Sequence, residues 1–231
     1  MIPEIFKSHL EKKLTETIYG MGGVCWLDDT NEEHLFKDIY VTEFTQMYPN
    51  IILKIHNEII KVDDPYMDIF IELMKQYEGH SLVENLDDRI TLNRFYGELA
   101  NPYRPVNTQK DNHGLKIANL CSIYGNLIAD YLIGEVGEKD IDPVYIDVDQ
   151  VYHTKPFTDF DFGLPHETRK IPLAVFFQKK RYMYYDNGVK SKGIITKGKR
   201  HLVDKWRTLE DKYEREFKRI IRTDRLKEVL A

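Results

Sequence analysis

Tyr145-Ile146-Asp147-Val148-Asp149-Gln150 places two carboxylates two residues apart inside an apolar, β-branched and aromatic run. Side chains alternate faces along an extended strand, so these two aspartates would point the same way. Like charges held side by side away from water are costly unless cations compensate them. A site for hard divalent ions gives such a pair a reason to exist, whereas a surface hairpin with outward aspartates is the alternative reading of these six residues alone. Working outward, Ile39-Tyr40-Val41-Thr42-Glu43-Phe44 is rich in β-branched and aromatic residues and also reads as a strand. Glu43 near its end is, by itself, an edge charge. On a neighbouring strand it would complete a three-carboxylate cluster. Two-metal phosphoryl transfer uses such a cluster, with ions about 3.5–4 Å apart stabilising the attacking and leaving oxygens.

The rest of the chain supplies helices and further strands around these two segments. Apolar positions at helical spacing predict helices over residues 2–18, 51–60, 66–77, about 87–99 and 115–133. Breaks fall at Gly20-Met21-Gly22-Gly23, Asp63-Asp64-Pro65 and Asn101-Pro102. Val24 to Leu27 is a short strand and Asp28 to Glu33 a turn. Residues 171–178 and 181–195 read as strands, the second turning at Asp186-Asn187-Gly188, and 201–230 as a charged helix. That order implies an α+β protein.

Composition narrows the setting. Hydrophobic residues make up 42% and charged residues 31%, ordinary for a globular protein. No run approaches the ~20 apolar residues of a membrane span. The start lacks the basic-then-apolar pattern of a secretory leader, so a cytoplasmic protein with no membrane association is expected. Cys25 and Cys121 show no CxxC spacing and read as buried thiols. The net charge of −5 is unevenly spread. Pro165 to Ala231 hold 19 of the 33 Lys+Arg but only 9 of the 38 Asp+Glu, leaving 14 against 29 before them. One end is suited to a polyanion while the other presents carboxylates; a set of solvated basic helices is the alternative. The eight His residues have no ligand spacing, and Gly20 to Gly23 is a tight turn rather than a phosphate loop, since no Lys-Ser/Thr follows. Apolar residues from Leu202 to Ile221, spaced three or four apart, suit a helix docked on its own core, with a partner-binding coiled coil as the alternative.

Three segments, in order, resemble the motifs of family B DNA polymerases. Glu43-Phe44-Thr45-Gln46-Met47-Tyr48-Pro49-Asn50-Ile51-Ile52 is similar to motif A (D-F-x-S-L-Y-P-S-I-I). Arg89-Ile90-Thr91-Leu92-Asn93-Arg94-Phe95-Tyr96-Gly97 is similar to motif B (K-x-x-x-N-S-x-Y-G), and Tyr145 to Gln150 to motif C (Y-x-D-T-D-S). Gln178-Lys179-Lys180-Arg181-Tyr182 resembles the K-K-x-Y motif that precedes the thumb. The likeness covers about residues 20–200. It implies a palm over 1–48 and 98–178, short fingers over 49–97, and a primer-grip and thumb-like region over 179–231.

The resemblance also implies roles. Glu43 and Asp149 would be the principal ligands of two Mg2+ ions (or Mn2+), with Asp147 auxiliary. Tyr48 would pack beneath the incoming sugar and reject a 2′-hydroxyl. Arg89 would face the triphosphate, and Asn93 and Tyr96 would line the dNTP pocket. Lys179, Lys180, Arg181 and Tyr182 would hold the primer strand of a primer–template DNA, and the basic C-terminal segment would contact phosphates independent of sequence. Tyr103, Tyr184 and Tyr185 are open to stacking on nucleotides or to core packing.

Departures from the pattern matter. Glu43 stands where the family has Asp, Arg94 for Ser, Val148 for Thr and Gln150 for Ser. The fingers are short, with Asp68, Glu72 and a single Lys75 on the helix after motif A. No exonuclease region has a counterpart, so proofreading would need another chain. The implied activity is template-directed DNA synthesis by a minimal or split polymerase; the alternative is a degenerate palm serving as a DNA-binding or assembly subunit. A phage, virus or mobile element, acting in host cytoplasm, would suit so reduced a member.

Overall fold

The computed structural model describes residues 1–14, 24–28, 35–63, 65–77, 86–101, 103, 112–134, 142–155, 162–186 and 189–193, with 215, 219 and 222 near the C-terminus. Seven strands form one antiparallel sheet: β1 Cys25–Leu27, β2 Leu35–Phe44, β3 Pro143–Asp147, β4 Gln150–His153, β5 His166–Gln178, β6 Arg181–Tyr185 and β7 Val189–Lys192. Their order across the sheet is β1-β3-β4-β2-β5-β6-β7, every pairing antiparallel. The described helices are α1 Glu4–Lys13, α2 Met47–Glu58, α3 Pro65–Gln76, α4 Leu86–Leu99 and α5 His113–Leu132. The architecture is α+β, as the sequence implies.

Strand alternation divides the core between the two faces of the sheet. Phe44, Ile146 and Val151 join the helical core with Phe6, Ile51, Ile55, Phe70 and Tyr124. Val41, Tyr145, Tyr152, Phe176 and Tyr182 build a second, aromatic cluster. Within it the Tyr145 ring stacks on Phe176 at 4.8 Å and lies tilted against Tyr182 at 5.1 Å. Glu43 shares the Val41 face and Asp147 the Tyr145 face, because each is two residues further along its strand.

Helix α5 is the centre of the helical layer. Residues Leu120 to Gly125 are buried in succession, so this helix has protein on all sides. Phe6 of α1 meets Tyr124 and Tyr131 of α5 edge-on, at 5.6 and 6.0 Å. Phe95 of α4 stacks on Tyr66 and Phe70 of α3 at 4.6 and 4.1 Å, which ties the two helices together. Among the described residues no helix is long and apolar enough to cross a membrane.

Two elements begin earlier than the sequence pattern predicts. Helix α2 starts at Met47, because Pro49 falls in the first turn, where its missing N–H would have no helical partner anyway. Strand β5 starts at His166, five residues before the apolar run, since pairing with β2 extends from Leu35↔Val175 to Phe44↔His166. The expected turn at Asn187-Gly188, the glycine run at 20–23 and most of the expected helix over 201–230 lie outside the described residues.

Candidate active site

The Asp-x-Asp segment forms the tip of a hairpin. Asp147 ends β3, Gln150 opens β4 and the two are paired, so Val148 and Asp149 are the two-residue turn. Val148 has φ +60, a left-handed conformation disfavoured for a β-branched residue. Its N–H donates to the Val24 carbonyl at 2.8 Å, and the Phe44 N–H donates to the Asp149 carbonyl at 2.8 Å. Those two bonds dock the turn between the approach to β1 and the end of β2. Glu43 pairs with Gln150 in the β2–β4 register, which brings it beside Asp149.

The chain then reverses through Thr45 and Gln46 into α2. Gln46 has φ +44, and the Asn50 amide donates to the Thr45 and Gln46 carbonyls at 2.9 and 3.3 Å, fixing the bend. The buried Gln46 Oε1 has no hydrogen-bond partner among the described residues. Tyr48, one turn on, lies 4.8 Å from the Tyr96 ring, and the Tyr96 hydroxyl is 2.7 Å from the Ser122 hydroxyl on α5. Burial pushes the Tyr48 phenol well above its ordinary value, helped by Tyr96, Cys121 and Asp149 around it. Tyr48 of α2 and Tyr96 of α4 therefore pack together, with Asp149 of the β3–β4 turn near enough to act on the Tyr48 phenol.

The three acids have different surroundings. Burial, with Glu43 and Asp147 nearby, raises the Asp149 carboxyl above the usual range, opposed by its own backbone N–H and by Lys192. Asp147 is also buried, yet its carboxyl is lowered, because Lys180 and Lys192 outweigh burial. Lys180 Nζ donates to Asp147 Oδ1 at 2.7 Å and Lys192 Nζ to Oδ2 at 2.6 Å. Glu43 Oε2 accepts from Arg169 Nη1 at 3.1 Å. Among the described residues no three His, Cys, Asp or Glu side chains stand close enough together to hold a metal ion.

Magnesium, which the sequence resemblance implies, takes hard oxygen donors. Asp149 and Glu43 are such donors, Glu43 pairing with Gln150 next to Asp149 in the register; Asp149 has no ion-pair partner among the described residues, while Arg169 holds Glu43 Oε2. Asp147 carries an ammonium group on each oxygen.

The other expected site residues divide by position. Arg89, Asn93 and Tyr96 fall on α4 at spacings of four and three, hence on one helix face, and Asn93 is exposed; the Arg89 side chain lies outside the described residues. Lys179 and Lys180 form the exposed β5–β6 turn. Arg181 and Tyr182 turn inward, 8% and 3% exposed, and the Tyr182 hydroxyl donates to Asp147 Oδ2 and Gln150 Oε1 at 3.1 and 3.2 Å. Tyr184 is buried and Tyr103 is exposed. His153 is buried with its Nε2 2.9 Å from the Thr42 hydroxyl, a packed structural histidine. Arg169 and Lys192 were not foreseen: one sits amid charges before an apolar run, the other in a Lys-Ser-Lys stretch with no marking.

No family model and no curated protein matches the chain. Among solved structures 71 chains match, one being the family B DNA polymerase from the hyperthermophilic archaeon Pyrobaculum calidifontis. The likeness covers 90% of this chain and 35% of that one, at 17% identity and a TM-score of 0.37.

Proposed function

We propose that this chain performs template-directed DNA synthesis, transferring nucleotides from dNTP to a primer 3′ end as a minimal or split family B polymerase. The observation that carries this reading is the convergence on Tyr48: the motif B ring of Tyr96 lies 4.8 Å away and the motif C carboxylate of Asp149 is close enough to act on its phenol. Magnesium or manganese, when bound, would neutralise charge on the transferring phosphoryl group. Asp149 and Glu43 are the side chains that would hold it. Tyr48, backed by Tyr96, would form the floor under the sugar. Arg89 and Asn93 on the same helix face would meet the triphosphate, and Lys179 and Lys180 the primer strand. In this reading residues 1–48 and 98–178 make the palm, 49–97 the fingers and 179–231 the primer grip and thumb-like region.

A second reading, a palm kept for DNA binding or assembly, is favoured by the ion pairs. Arg169 on Glu43 and two lysines on Asp147 compensate these acids without a metal. Primer extension with magnesium and then manganese separates the two. Extension lost on Asp149→Asn supports the polymerase; extension that survives Asp149→Asn removes the metal assignment; none with either ion leaves the binding subunit.

A further inference from the structure

The Asp147 side chain is 0% exposed, yet the two lysines whose ammonium groups share it have side chains 50% exposed. One ammonium balances one carboxylate, so the second leaves this assembly with a net positive charge. Each ammonium carries three donors, and only one from each is spent on Asp147. The carboxylate thus holds two cations side by side, with donors to spare towards water.

The backbone around them is locked. Lys180 has φ +66 in the β5–β6 turn, and its N–H donates to the Tyr145 hydroxyl at 2.7 Å. Lys192 stands opposite Tyr182 in the β6–β7 register. Next to it, Gly193 approaches the turn so closely that a Cβ would lie 2.0 Å from the Lys180 carbonyl oxygen. The Lys180 backbone and the end of β7 are thereby held together.

We propose that Lys192 and Lys180 form a clamp for phosphate oxygens in the backbone of a nucleic-acid strand, with Asp147 as the anchor that spaces them. The polymerase reading supplies the identity of the strand as a primer end; the clamp itself needs only a polyanion. A strand suits it better than a free nucleotide because exposed Lys179, Lys180, Lys190 and Lys192 lie on consecutive turns and strands. The chain beyond Pro165 is also strongly cationic, with 19 Lys+Arg against 9 Asp+Glu. Phosphate contacts of this kind position a duplex without reading its sequence.

Fluorescence anisotropy on the full chain, without divalent metal, tests this with labelled primer–template and labelled dNTP over a salt series. Lys192→Gln is expected to weaken primer–template binding several-fold and to lower the slope of log K against log salt by about one, leaving dNTP binding unchanged. Asp147→Asn/Lys192→Gln keeps the parent's net charge at this cluster should the single variant fold poorly, and is expected to keep the weak binding and shallow slope. An unchanged slope in both variants makes Lys192 a mere counter-ion and overturns the clamp, as does a loss of dNTP binding alone or no DNA binding by the parent chain. Parent protein that binds DNA with the full slope but extends no primer would overturn the polymerase reading and leave the clamp standing.

Discussion

Arg169 reaches Glu43 Oε2 through Nη1 at 3.1 Å and Asp186 Oδ2 through Nε at 3.2 Å, so one guanidinium ties the end of β2 to the end of β6. The planar fork fixes which way the longer glutamate lies. Both members of the Glu43 pair are partly exposed, at 41% and 30%, so Arg169→Gln should cost only about 1 kcal/mol in urea unfolding. In the polymerase reading it should reduce single-turnover extension more than this loss explains. Glu43→Asp in the Arg169→Gln background should recover part of the rate, because a shorter acid needs no tether. Failure of that recovery would show that Arg169 does not position Glu43.

Asp147 and Asp149 should affect stability in opposite senses. Burial first, then Glu43, raise the Asp149 carboxyl, so the folded state keeps this proton to higher pH than the unfolded chain does. Its contribution is full below the unfolded value, about pH 4, and is lost as pH rises through the folded one. Asp149→Asn should therefore raise Tm at pH 7 and match the parent in acid. For Asp147 the two lysines overcome burial and lower the carboxyl. Its contribution is present above about pH 4 and is lost as pH falls through the folded value. Asp147→Asn should lower Tm at pH 7, by about 1–3 kcal/mol in stability, with the gap closing in acid. Melting curves of the three proteins from pH 3 to 8 check both signs; a destabilised Asp149→Asn at neutral pH would refute this electrostatic account.

What the sequence could reveal depended on how local the physics was. The apolar spacing that defines α5 and the β-branched run of β2 are written in consecutive residues, whereas the contact of Tyr48 with Tyr96 joins segments far apart in the chain. Pro49 concealed the first turn of α2, since proline marks a helix start as readily as a break. Charges from Glu167 to Lys170 concealed the first half of β5, which exists because β2 offers it five pairing positions, Tyr40 to Phe44. The partners of the acids were beyond reach: Arg169 is 126 residues from Glu43, and Lys192 is 45 from Asp147. Only the register of β5, β6 and β7 brings those cations in.

Tyr48 gives a prediction tied to the polymerase reading alone. Its ring rests on Tyr96, and burial keeps its phenol protonated, so the ring rather than a charge would meet the sugar. Tyr48→Phe should preserve preference for deoxynucleotides. Tyr48→Val should raise ribonucleotide incorporation relative to dNTP by on the order of 10²-fold, the scale on which a packed site rejects one hydroxyl. Single-nucleotide incorporation with matched dNTP and rNTP measures the ratio.

Two glycines should respond to alanine in opposite directions. Gly193 has φ +64, and a Cβ there would stand 2.0 Å from the Lys180 carbonyl oxygen and 3.0 Å from Arg181 Cγ. Alanine in a left-handed conformation costs about 1–2 kcal/mol, and the oxygen belongs to backbone that cannot swing away. Gly193→Ala should therefore lose at least about 2 kcal/mol in urea unfolding and displace Lys192 from Asp147. Gly97 lies inside α4 with nothing within 4 Å of the corresponding Cβ. Gly97→Ala should gain about 0.5–1 kcal/mol, because alanine restricts the unfolded chain and meets no obstacle in the helix. Gly193→Ala should also shallow the salt slope of DNA binding as Lys192→Gln does, since the clamp loses its spacing, while Gly97→Ala should leave that slope unchanged.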